Sequence, residues 1–354
     1  MTSRSNSVTI RDVARQAGVS VATISRYVNQ NTPVSAELAG RIQRVMLDLN
    51  YQPHQVARHL ATRRTRTVGM VLNNIYTEFF SPMLSGIESV VSENQYNLLV
   101  TTYKTSARKS SLLPIGSHNT DGMLVFADCL DEEHLKQLHR NNVPLVLIHR
   151  TSPPNLKIPS VTVENRTATR ELIDHLIEAH NRRSILFLRG PRNQEDSYSR
   201  EQGYLDSLAA HGIVVNQKLF AEGSFISTVA YQNIKQLLSS DCARFDAIFA
   251  GNDDAAIGAL TALKEVGLRV PEDVAVVGFD DSRLSSFINP PLTTVRTPTE
   301  EVGRAAARLL FNLIQGQPAE STTLDSLGII LRRSCGCLYD TVATSSGFIT
   351  TKEF

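Results

Sequence analysis

The chain has 354 residues, 42% of them hydrophobic, so it is long enough for two or three domains with sizeable cores. Its net charge of +1 hides an uneven distribution: residues 1–66 carry ten arginines, no lysine and three acidic residues, whereas the remainder is acidic overall. A basic N-terminal module on a mildly acidic body favours nucleic-acid binding by the module, although a solvated charged surface is the alternative.

We expect a cytoplasmic protein without metal or cofactor. The N-terminus is polar and lacks the apolar segment of a secretory signal, and no apolar run approaches the ~20 residues of a membrane span. The cysteines are scattered: Cys129, Cys242, Cys335 and Cys337. The Cys-Gly-Cys stretch lacks the second pair or the histidines that a zinc site needs, so we expect reduced thiols.

Residues 9–30 predict two short helices joined by a tight turn. Apolar residues at helical spacing give them an inner face: Val13, Ala14, Ala17, Ile24 and Val28. Gly18 supplies the backbone freedom that the turn needs. Ser20 is a good N-cap for the second helix.

The outer face of the second helix has the chemistry of a DNA-reading surface. It carries Val21, Ala22, Ser25, Arg26 and Asn29. Small apolar side chains can touch thymine methyls, an arginine can reach a guanine edge, and hydroxyl and amide groups suit phosphates. The pattern therefore predicts DNA binding, with a helical hairpin that has no partner as the alternative.

A third helix and a short amphipathic segment follow. Ser35 caps the third helix, whose inward residues are Leu38, Ile42, Val45 and Leu49. The segment 54–62 is too short to hold a helix alone in water. It could become helical when it is paired with a copy of itself or laid on DNA.

The runs VARQAGVSVATISRYVN and NYQPHQVARHLA resemble the headpiece and hinge of the lactose-repressor (LacI/GalR) family of bacterial transcription regulators. The resemblance implies base reading by Val21, Ala22 and Arg26. It places four residues near phosphates: Ser20, Thr23, Ser25 and Asn29. Thr9 is a further predicted DNA-binding residue. It also implies that paired hinge helices enter the minor groove, where Leu60 wedges into the central base step and Ala57 allows close approach. Packing of Leu60 against its partner hinge is the alternative.

Beyond residue 66, apolar β-type runs alternate with helix-type stretches. Strands are predicted at 67–72, 97–102, 122–126, 144–149, 160–163, 184–188, 246–250, 275–279 and 293–296. Helices are predicted at about 79–94, 131–141, 165–180, 197–211, 228–239, 253–266 and 298–315. Continuous hydrophobicity in the strands indicates parallel sheets covered by helices, and the strand number favours two α/β lobes.

The stretches GNDDAAIGALTALKEVGLRVPEDVAVVGFDD and NPPLTTVRTPTEEVG resemble the effector-binding core of the same family, which is similar to periplasmic sugar-binding proteins. The expected fold is an all-α helix-turn-helix headpiece with a hinge helix, followed by a two-lobed α/β core with parallel sheets. The predicted bounds are 1–52 for the headpiece, 53–66 for the hinge and linker, 67–340 for the core, and 341–354 for a loose tail.

Within the core, we expect lobe 1 at about 67–163 and 297–328, and lobe 2 at about 164–296 and 329–340. By the resemblance, the chain crosses between lobes near 162–166, 295–298 and 327–330. One segment, 103–120, departs from the family because it is basic and holds Pro114 and Gly116. We expect a truncated or irregular helix there.

The predicted effector site lies between the lobes, beyond the carboxyl ends of strands. Its candidates are Phe79, Arg200, Phe225, Asn252, Asp253 and Asp280. The polar members can grip a polyhydroxylated ligand by bidentate hydrogen bonds, and the two phenylalanines match positions where the family packs against its ligand. The alternatives are an N-cap for Asp253, an interlobe salt bridge for Arg200 and Asp280, and plain core for the phenylalanines.

These features predict a homodimeric repressor that binds a double-stranded, pseudo-palindromic DNA operator. A small effector, a sugar first and a nucleoside or purine second, would alter hinge-helix formation and DNA affinity. A sugar-binding protein for transport would need an export signal and no headpiece. An enzyme would need a catalytic constellation, and the chain has no Walker, nucleophile-elbow or H-E-x-x-H motif.

Overall fold

The computed structural model describes residues 8–29, 34–51, 64–103, 113–239, 244–338, 341–344 and 347–350. The chain divides into two compact units, Met1–Thr65 and Arg66–Phe354. The predicted hinge helix, with Ala57 and Leu60, lies outside the described residues, as do residues 104–112 of the atypical segment. Across the described ranges, no helix combines the length and apolarity needed to traverse a bilayer.

Three helices form the first unit: α1 (Ile10–Ala17), α2 (Val21–Asn29) and α3 (Ala36–Asp48). Gly18 ends α1 at a φ of 66°, a left-handed conformation that glycine adopts without steric cost. Hydroxyl groups cap the next two helices, because Ser20 Oγ accepts from the Thr23 amide at 3.1 Å and Ser35 Oγ from the Leu38 amide at 3.3 Å. The predicted turn and caps are confirmed.

The core of this unit is small and comes from all three helices. Its buried side chains are those of Val13, Ala14, Ala17, Ile24, Ile42 and Val45. Other residues predicted to face inward pack around this core and are partly buried: Val28, Leu38 and Leu49. Helices this short are marginal in water on their own, so their shared apolar face holds them together.

The second unit alternates strands and helices. Its strands are β1 (Thr67–Leu72), β2 (Asn97–Thr102), β3 (Gly122–Phe126), β4 (Leu145–Ile148), β5 (Ser160–Val163), β6 (Ile185–Arg189), β7 (Phe220–Glu222), β8 (Ala247–Ala250), β9 (Ala275–Val277), β10 (Thr294–Val295), β11 (Thr322–Leu324), β12 (Ile329–Leu331), β13 (Thr341–Thr344) and β14 (Gly347–Thr350). Its helices are α4 (Phe80–Glu93), α5 (Glu132–Arg140), α6 (Arg166–Glu178), α7 (Glu195–Ala210), α8 (Ser227–Ser239), α9 (Asp253–Glu265) and α10 (Thr299–Ile314).

Lobe 1 is built on a six-stranded parallel sheet in the order β11-β5-β4-β3-β1-β2. Every residue of β3 and β4 is buried, as their continuous hydrophobicity predicts. Helices α4, α5 and α10 contribute to one hydrophobic core with these strands.

Lobe 2 contains a four-stranded parallel sheet in the order β7-β6-β8-β9. One core packs α6 and α7 against this sheet, and a second core packs α8 and α9. A third, antiparallel sheet continues from it in the order β10-β12-β13-β14. The parallel sheets covered by helices confirm the predicted α/β class.

The chain crosses between the lobes on three segments of the described ranges. It leaves lobe 1 between β5 and α6, returns between β10 and α10, and leaves again between β11 and β12. Because α10 and β11 complete lobe 1 late in the chain, neither lobe is one continuous stretch of sequence.

The structure differs from the sequence expectation mainly at short strands. Strands β7, β11 and β12 have three residues each, too few to give a periodic pattern. The expected loose tail is wrong in part, because residues 341–344 and 347–350 pair as an antiparallel hairpin beside β12. The described end of the atypical segment, residues 113–120, has turns and bends and no helix.

Candidate nucleic-acid interface and effector cleft

The outer face of α2 is open to solvent. Val21 is 42% exposed, and Ala22 and Arg26 are also exposed. These three residues fall within one arc of the helix, whereas Ile24 lies on the opposite side and is fully buried. The side chains predicted to read bases therefore share an accessible face of α2.

The predicted phosphate-contacting residues lie around that face. Ser20 and Thr23, whose hydroxyl oxygens are 2.8 Å apart, form the first turn of α2. Thr9 is exposed before α1, and its hydroxyl donates to Asp12 at 2.7 Å. The side chain of Ser25 is half-buried, and Asn29 is the last residue of α2. The first unit also has five exposed arginines in its described helices: Arg11, Arg15, Arg26, Arg41 and Arg44.

A cavity of about 120 Å³ lies between the lobes of the second unit. A neighbouring cavity of about 700 Å³ shares part of its wall. The smaller cavity is lined by Asn73, Asn74, Tyr76, Thr77, Phe79, Phe80 and Phe126 from lobe 1, and by Pro191, Gln194, Asp196, Arg200, Ser224, Phe225, Ile226, Asn252, Asp254 and Asp280 from lobe 2. Most of these residues follow the carboxyl end of a parallel strand, where α/β folds place their ligands.

The guanidinium of Arg200, in the cavity wall, donates hydrogen bonds to three acceptors. Arg200 lies on α7 and is only 3% exposed. Its Nε donates to Asn165 Oδ1 at 2.9 Å, its Nη1 to the carbonyl oxygen of Gly251 at 2.5 Å, and its Nη2 to Asp280 Oδ1 at 3.4 Å. The guanidinium therefore keeps a fixed orientation toward the cavity.

Asp280 follows β9 with a φ of 116°, which is a strained conformation for a residue with a side chain. Burial raises the pKa of its carboxyl to about 8, although the charge of Arg200 opposes this shift. Near neutral pH this carboxyl therefore holds a proton much of the time and can both donate and accept a hydrogen bond.

Asp253 does not line the cavity, unlike the other five predicted effector residues. Its Oδ1 accepts from the Thr294 hydroxyl at 2.6 Å and its Oδ2 from the Ser282 amide at 2.7 Å. Burial raises its pKa to about 7. The N-cap of α9 is Asn252, so Asp253 serves instead to hold the loop after β9.

Phe225 forms an aromatic wall of the cavity from a left-handed conformation, with a φ of 57°. A Cβ at Gly190 would overlap its ring, and one at Gly251 would come within 3.0 Å of it. Both glycines therefore make room for the ring. On the lobe 1 side, Phe79 lies 6.0 Å from Phe126 between ring centroids, so it belongs to an aromatic cluster.

Polar contacts join the two lobes around the cavity. His149 Nδ1, after β4, lies 2.7 Å from Asp196 Oδ2 at the start of α7. The other interlobe pairs are Thr151 with Glu195, Asp128 with Gln194 and Asn193, and Glu78 with the amide of Leu284. These polar contacts bridge the lobes, and a ligand in the cleft could replace some of them.

Sequence analysis missed Asp196 and His149 at the cleft. Asp196 lies four residues before Arg200 on α7, which is a helical spacing that could have identified it. Its buried carboxylate has a lowered pKa, because His149, Arg200 and Asn165 together outweigh the effect of burial. His149 directly follows the buried strand β4, so its position at the carboxyl end of a strand was a second available signal.

One sequence expectation about the cysteines is wrong. Cys335 and Cys337 were expected to lack histidine partners, but both sulfur atoms lie within 3.6 Å of the Nε2 of His175. Cys337 Sγ also lies 3.5 Å from His180 Nε2. The sequence pattern did not reveal His175 and His180 because they lie more than 150 residues from the cysteines in the chain.

Comparisons with known proteins match both units of the chain. Residues 9–54 match the family model for bacterial regulatory proteins of the lacI family, and residues 173–335 match a periplasmic binding protein-like domain. The HTH-type transcriptional repressor CytR of Escherichia coli K12 is 32% identical over 333 residues, which cover 93% of this chain and 97% of CytR. The catabolite control protein A of Priestia megaterium is 31% identical and covers 89% of this chain, with 95% of its own length matched.

Solved structures show the same relationship. The Lac repressor dimer bound to operator and the anti-inducer ONPF superposes with a TM-score of 0.78 at 27% identity, covering 93% of this chain and 99% of that one. The complex of the transcriptional regulator CelR with cellobiose gives a TM-score of 0.67 at 29% identity, covering 92% and 99%. The chain therefore belongs to the LacI family of bacterial regulatory proteins, and it is a DNA-binding transcription regulator rather than an enzyme.

Proposed function

We propose that the protein is a homodimeric repressor whose hold on a pseudo-palindromic operator is controlled by a small sugar-like effector in the cleft. The observation that carries the effector assignment is the fixed guanidinium of Arg200, presented with Asp280 and Asn252 at the carboxyl ends of the lobe 2 strands. Such forked donors and acceptors suit vicinal hydroxyl groups.

The composition of the cleft supports a sugar over a purely apolar ligand. Aromatic rings from both lobes, Phe79 and Phe225, can cover the C–H faces of a sugar ring, while amide and carboxyl groups reach its rim. Together with the neighbouring cavity, the available space falls within the ~300–1,000 Å³ typical of small-molecule sites. A relative, CelR, is known with cellobiose.

A nucleoside or purine is the second candidate. The same aromatic rings could stack on a base, and a ribose would supply hydroxyl groups to Arg200 and Asp280. A sugar is preferred because both lobes contribute polar side chains to the cavity wall, so they match hydroxyl groups on opposite sides of a sugar ring.

On the DNA side, we propose that Val21, Ala22 and Arg26 read base edges, and that Thr9, Ser20, Thr23, Ser25 and Asn29 contact phosphates. The exposure of the α2 outer face supports this assignment. By the family resemblance, Ala57 and Leu60 belong to a hinge that enters the minor groove as a pair. A two-fold dimer would meet a two-fold site.

Dimerisation is proposed for the core, through the outward face of α4 and its neighbours. Strand β2 is an edge strand of the lobe 1 sheet, and its Leu99 is 38% exposed. The effector would act because it contacts both lobes. A ligand that prefers one arrangement of the lobes shifts their population, and DNA affinity changes by linkage in either direction.

The decisive experiment has two stages. A thermal-shift screen of sugars and nucleosides on the full chain should find a compound that raises the melting temperature of the wild type and not that of Arg200→Met. Fluorescence anisotropy with a labelled operator should then change on addition of that compound. Sedimentation should give a dimer, and a monomer indifferent to double-stranded DNA would contradict the proposal.

A further inference from the structure

Four metal-ligating side chains converge in lobe 2, away from the effector cleft. They are His175, in the last turn of α6, His180, just after that helix, and Cys335 and Cys337, which follow β12. One ligand atom from each side chain lies within 4.8 Å of the other three. In the part of the chain that the structure describes, no other group of three or more such residues is placed this way.

Four of the six distances between these atoms match those of a tetrahedral zinc site. The two Nε2 atoms are 3.2 Å apart. Cys335 Sγ lies 3.6 Å from His175 Nε2, and Cys337 Sγ lies 3.5 Å from the Nε2 of each histidine. With Zn–N bonds of ~2.0–2.1 Å and Zn–S bonds of ~2.3 Å, a tetrahedral ion places nitrogen and sulfur ~3.5 Å apart and two nitrogens ~3.3 Å apart.

We propose that His175, His180, Cys335 and Cys337 form a structural zinc site of the Cys₂His₂ type. All four tetrahedral positions are filled by protein, which is the arrangement of structural rather than catalytic zinc. Cysteine sulfur and histidine nitrogen are the ligand atoms that zinc prefers, and each of the four side chains can direct one lone pair to a shared ion.

The backbone around the cysteines is built for this convergence. Gly336 has a φ of 117°, and a Cβ at this position would lie 2.9 Å from His180 Nδ1. Glycine is therefore required for the turn that brings both sulfur atoms to the imidazoles. Outside the four ligands, the Thr293 hydroxyl lies 3.1 Å from Cys335 Sγ and can donate to a thiolate there.

The position of the cluster indicates what the ion would do. His180 precedes β6, so the cluster lies toward the amino ends of the lobe 2 strands, whereas the effector cleft lies at their carboxyl ends. Zinc would link α6 to the segment that follows β12. Strand β12 is the first lobe 2 element after the third crossing between the lobes. The site should stabilise lobe 2 without contacting the effector.

The test uses the untagged full chain, purified in reducing buffer, supplied with zinc and dialysed. Elemental analysis should find about one zinc per chain, as expected for a four-ligand structural site. Cobalt substitution should give the visible absorption of tetrahedral cobalt with thiolate ligands, and added zinc should abolish it. A chain that holds neither metal, or in which mass spectrometry finds a Cys335–Cys337 disulfide under these conditions, would overturn the proposal.

Variants separate the site from nonspecific binding. Cys337→Ser and His180→Gln should lose the zinc, whereas Cys129→Ala in lobe 1 and His139→Gln on the exposed face of α5 should keep it. A chelator should lower the melting temperature of the wild type and of both controls, and leave that of Cys337→Ser unchanged. Equal zinc content in all variants would count against the assigned ligands.

Discussion

The guanidinium carbon of Arg200 lies 3.8 Å from the centroid of the buried Phe279 ring, so a cation–π contact supports the arginine from beneath the cleft wall. Its nitrogen donors point to Asn165, Gly251 and Asp280. The aromatic contact and the three acceptors together position the guanidinium before any ligand arrives. Positioning of this kind reduces the entropy cost of binding.

Replacing Arg200 by methionine should abolish effector binding and also destabilise lobe 2. The buried acceptors Asn165 Oδ1 and the Gly251 carbonyl oxygen would each lose their donor, and a buried polar group left without a partner costs about 1–3 kcal/mol. Calorimetry with the compound found in the screen should show an affinity reduced at least ~100-fold, which corresponds to about 2.7 kcal/mol.

Arg192→Met is the matched control for this change. Arg192 is also in lobe 2, but it is exposed and pairs with Glu222 on the surface. Surface pairs contribute little, so stability and effector affinity should stay close to those of the wild type. Equal losses in the two variants would mean that the effect of Arg200→Met is nonspecific.

The difference in stability between Asp280→Asn and the wild type should depend on pH. Burial raises the pKa of Asp280 to about 8 in the folded protein, above the unfolded value of 3.8. The folded state therefore binds this proton more tightly than the unfolded state does. The resulting contribution of Asp280 to the free energy of unfolding is fully present below about pH 4 and is lost as the pH rises through about 8. The wild type should lose stability over this range through a group that the asparagine variant lacks.

Melting temperatures of both proteins at several pH values from about 5 to 9 provide the measurement for this prediction. As the pH rises, the melting temperature of Asp280→Asn should increase relative to that of the wild type. Asp253, whose pKa is raised to about 7, is present in both proteins, so its titration changes the stability of both in the same direction. A constant difference across the range would show that Asp280 does not titrate there.

Gly303→Ala should destabilise lobe 1, because α4 and α10 cross in backbone contact. A Cβ at Gly303 would overlap the carbonyl oxygen of Met83, and one at Gly86 would overlap that of Glu300. The helices would have to separate, and overpacking of this kind costs about 1–3 kcal/mol or more. Chemical denaturation should show the loss.

The control for this prediction is Gly40→Ala in α3, where a Cβ meets nothing within 4 Å. There the exchange should stabilise the helix by about 0.5–1 kcal/mol, since alanine has the higher helix propensity. The same chemical change should therefore have opposite signs at the two positions. Destabilisation by both would contradict the explanation by helix contact.

Arg26→Ala should cost about 1–3 kcal/mol of operator affinity and relax base choice at one position in each half-site. Arg15→Ala removes the same charge from an exposed position on α1 and should weaken all DNA sequences to a similar extent. Binding to a library of operator variants distinguishes the two outcomes. If Arg26→Ala also weakens every sequence equally, its assigned role in base reading is wrong.

The first unit shows what local pattern can predict. Within each helix the inward residues recur at helical spacing, as in Val13 with Ala17, Ile24 with Val28, and Ile42 with Val45. Gly18 and Ser20 mark the turn and the cap between the first two helices. Long buried strands such as β1 and β3 were found at their observed bounds for a similar reason, since four or more consecutive apolar residues are a signal in themselves. The three-residue strands β7, β11 and β12 gave no such signal, whereas β9 was predicted because its apolar run continues to Phe279.

Sequence alone determined the class of the protein, because its amphipathic periods, helix caps and basic N-terminus depend only on near neighbours in the chain. Tertiary structure decided which distant residues meet. Asp253 binds Thr294 and does not line the cavity, and His149 contacts Asp196. His175 and His180 lie beside Cys335 and Cys337. Those contacts follow from the packing of helices on sheets and from the crossings between lobes, which no short window of sequence contains.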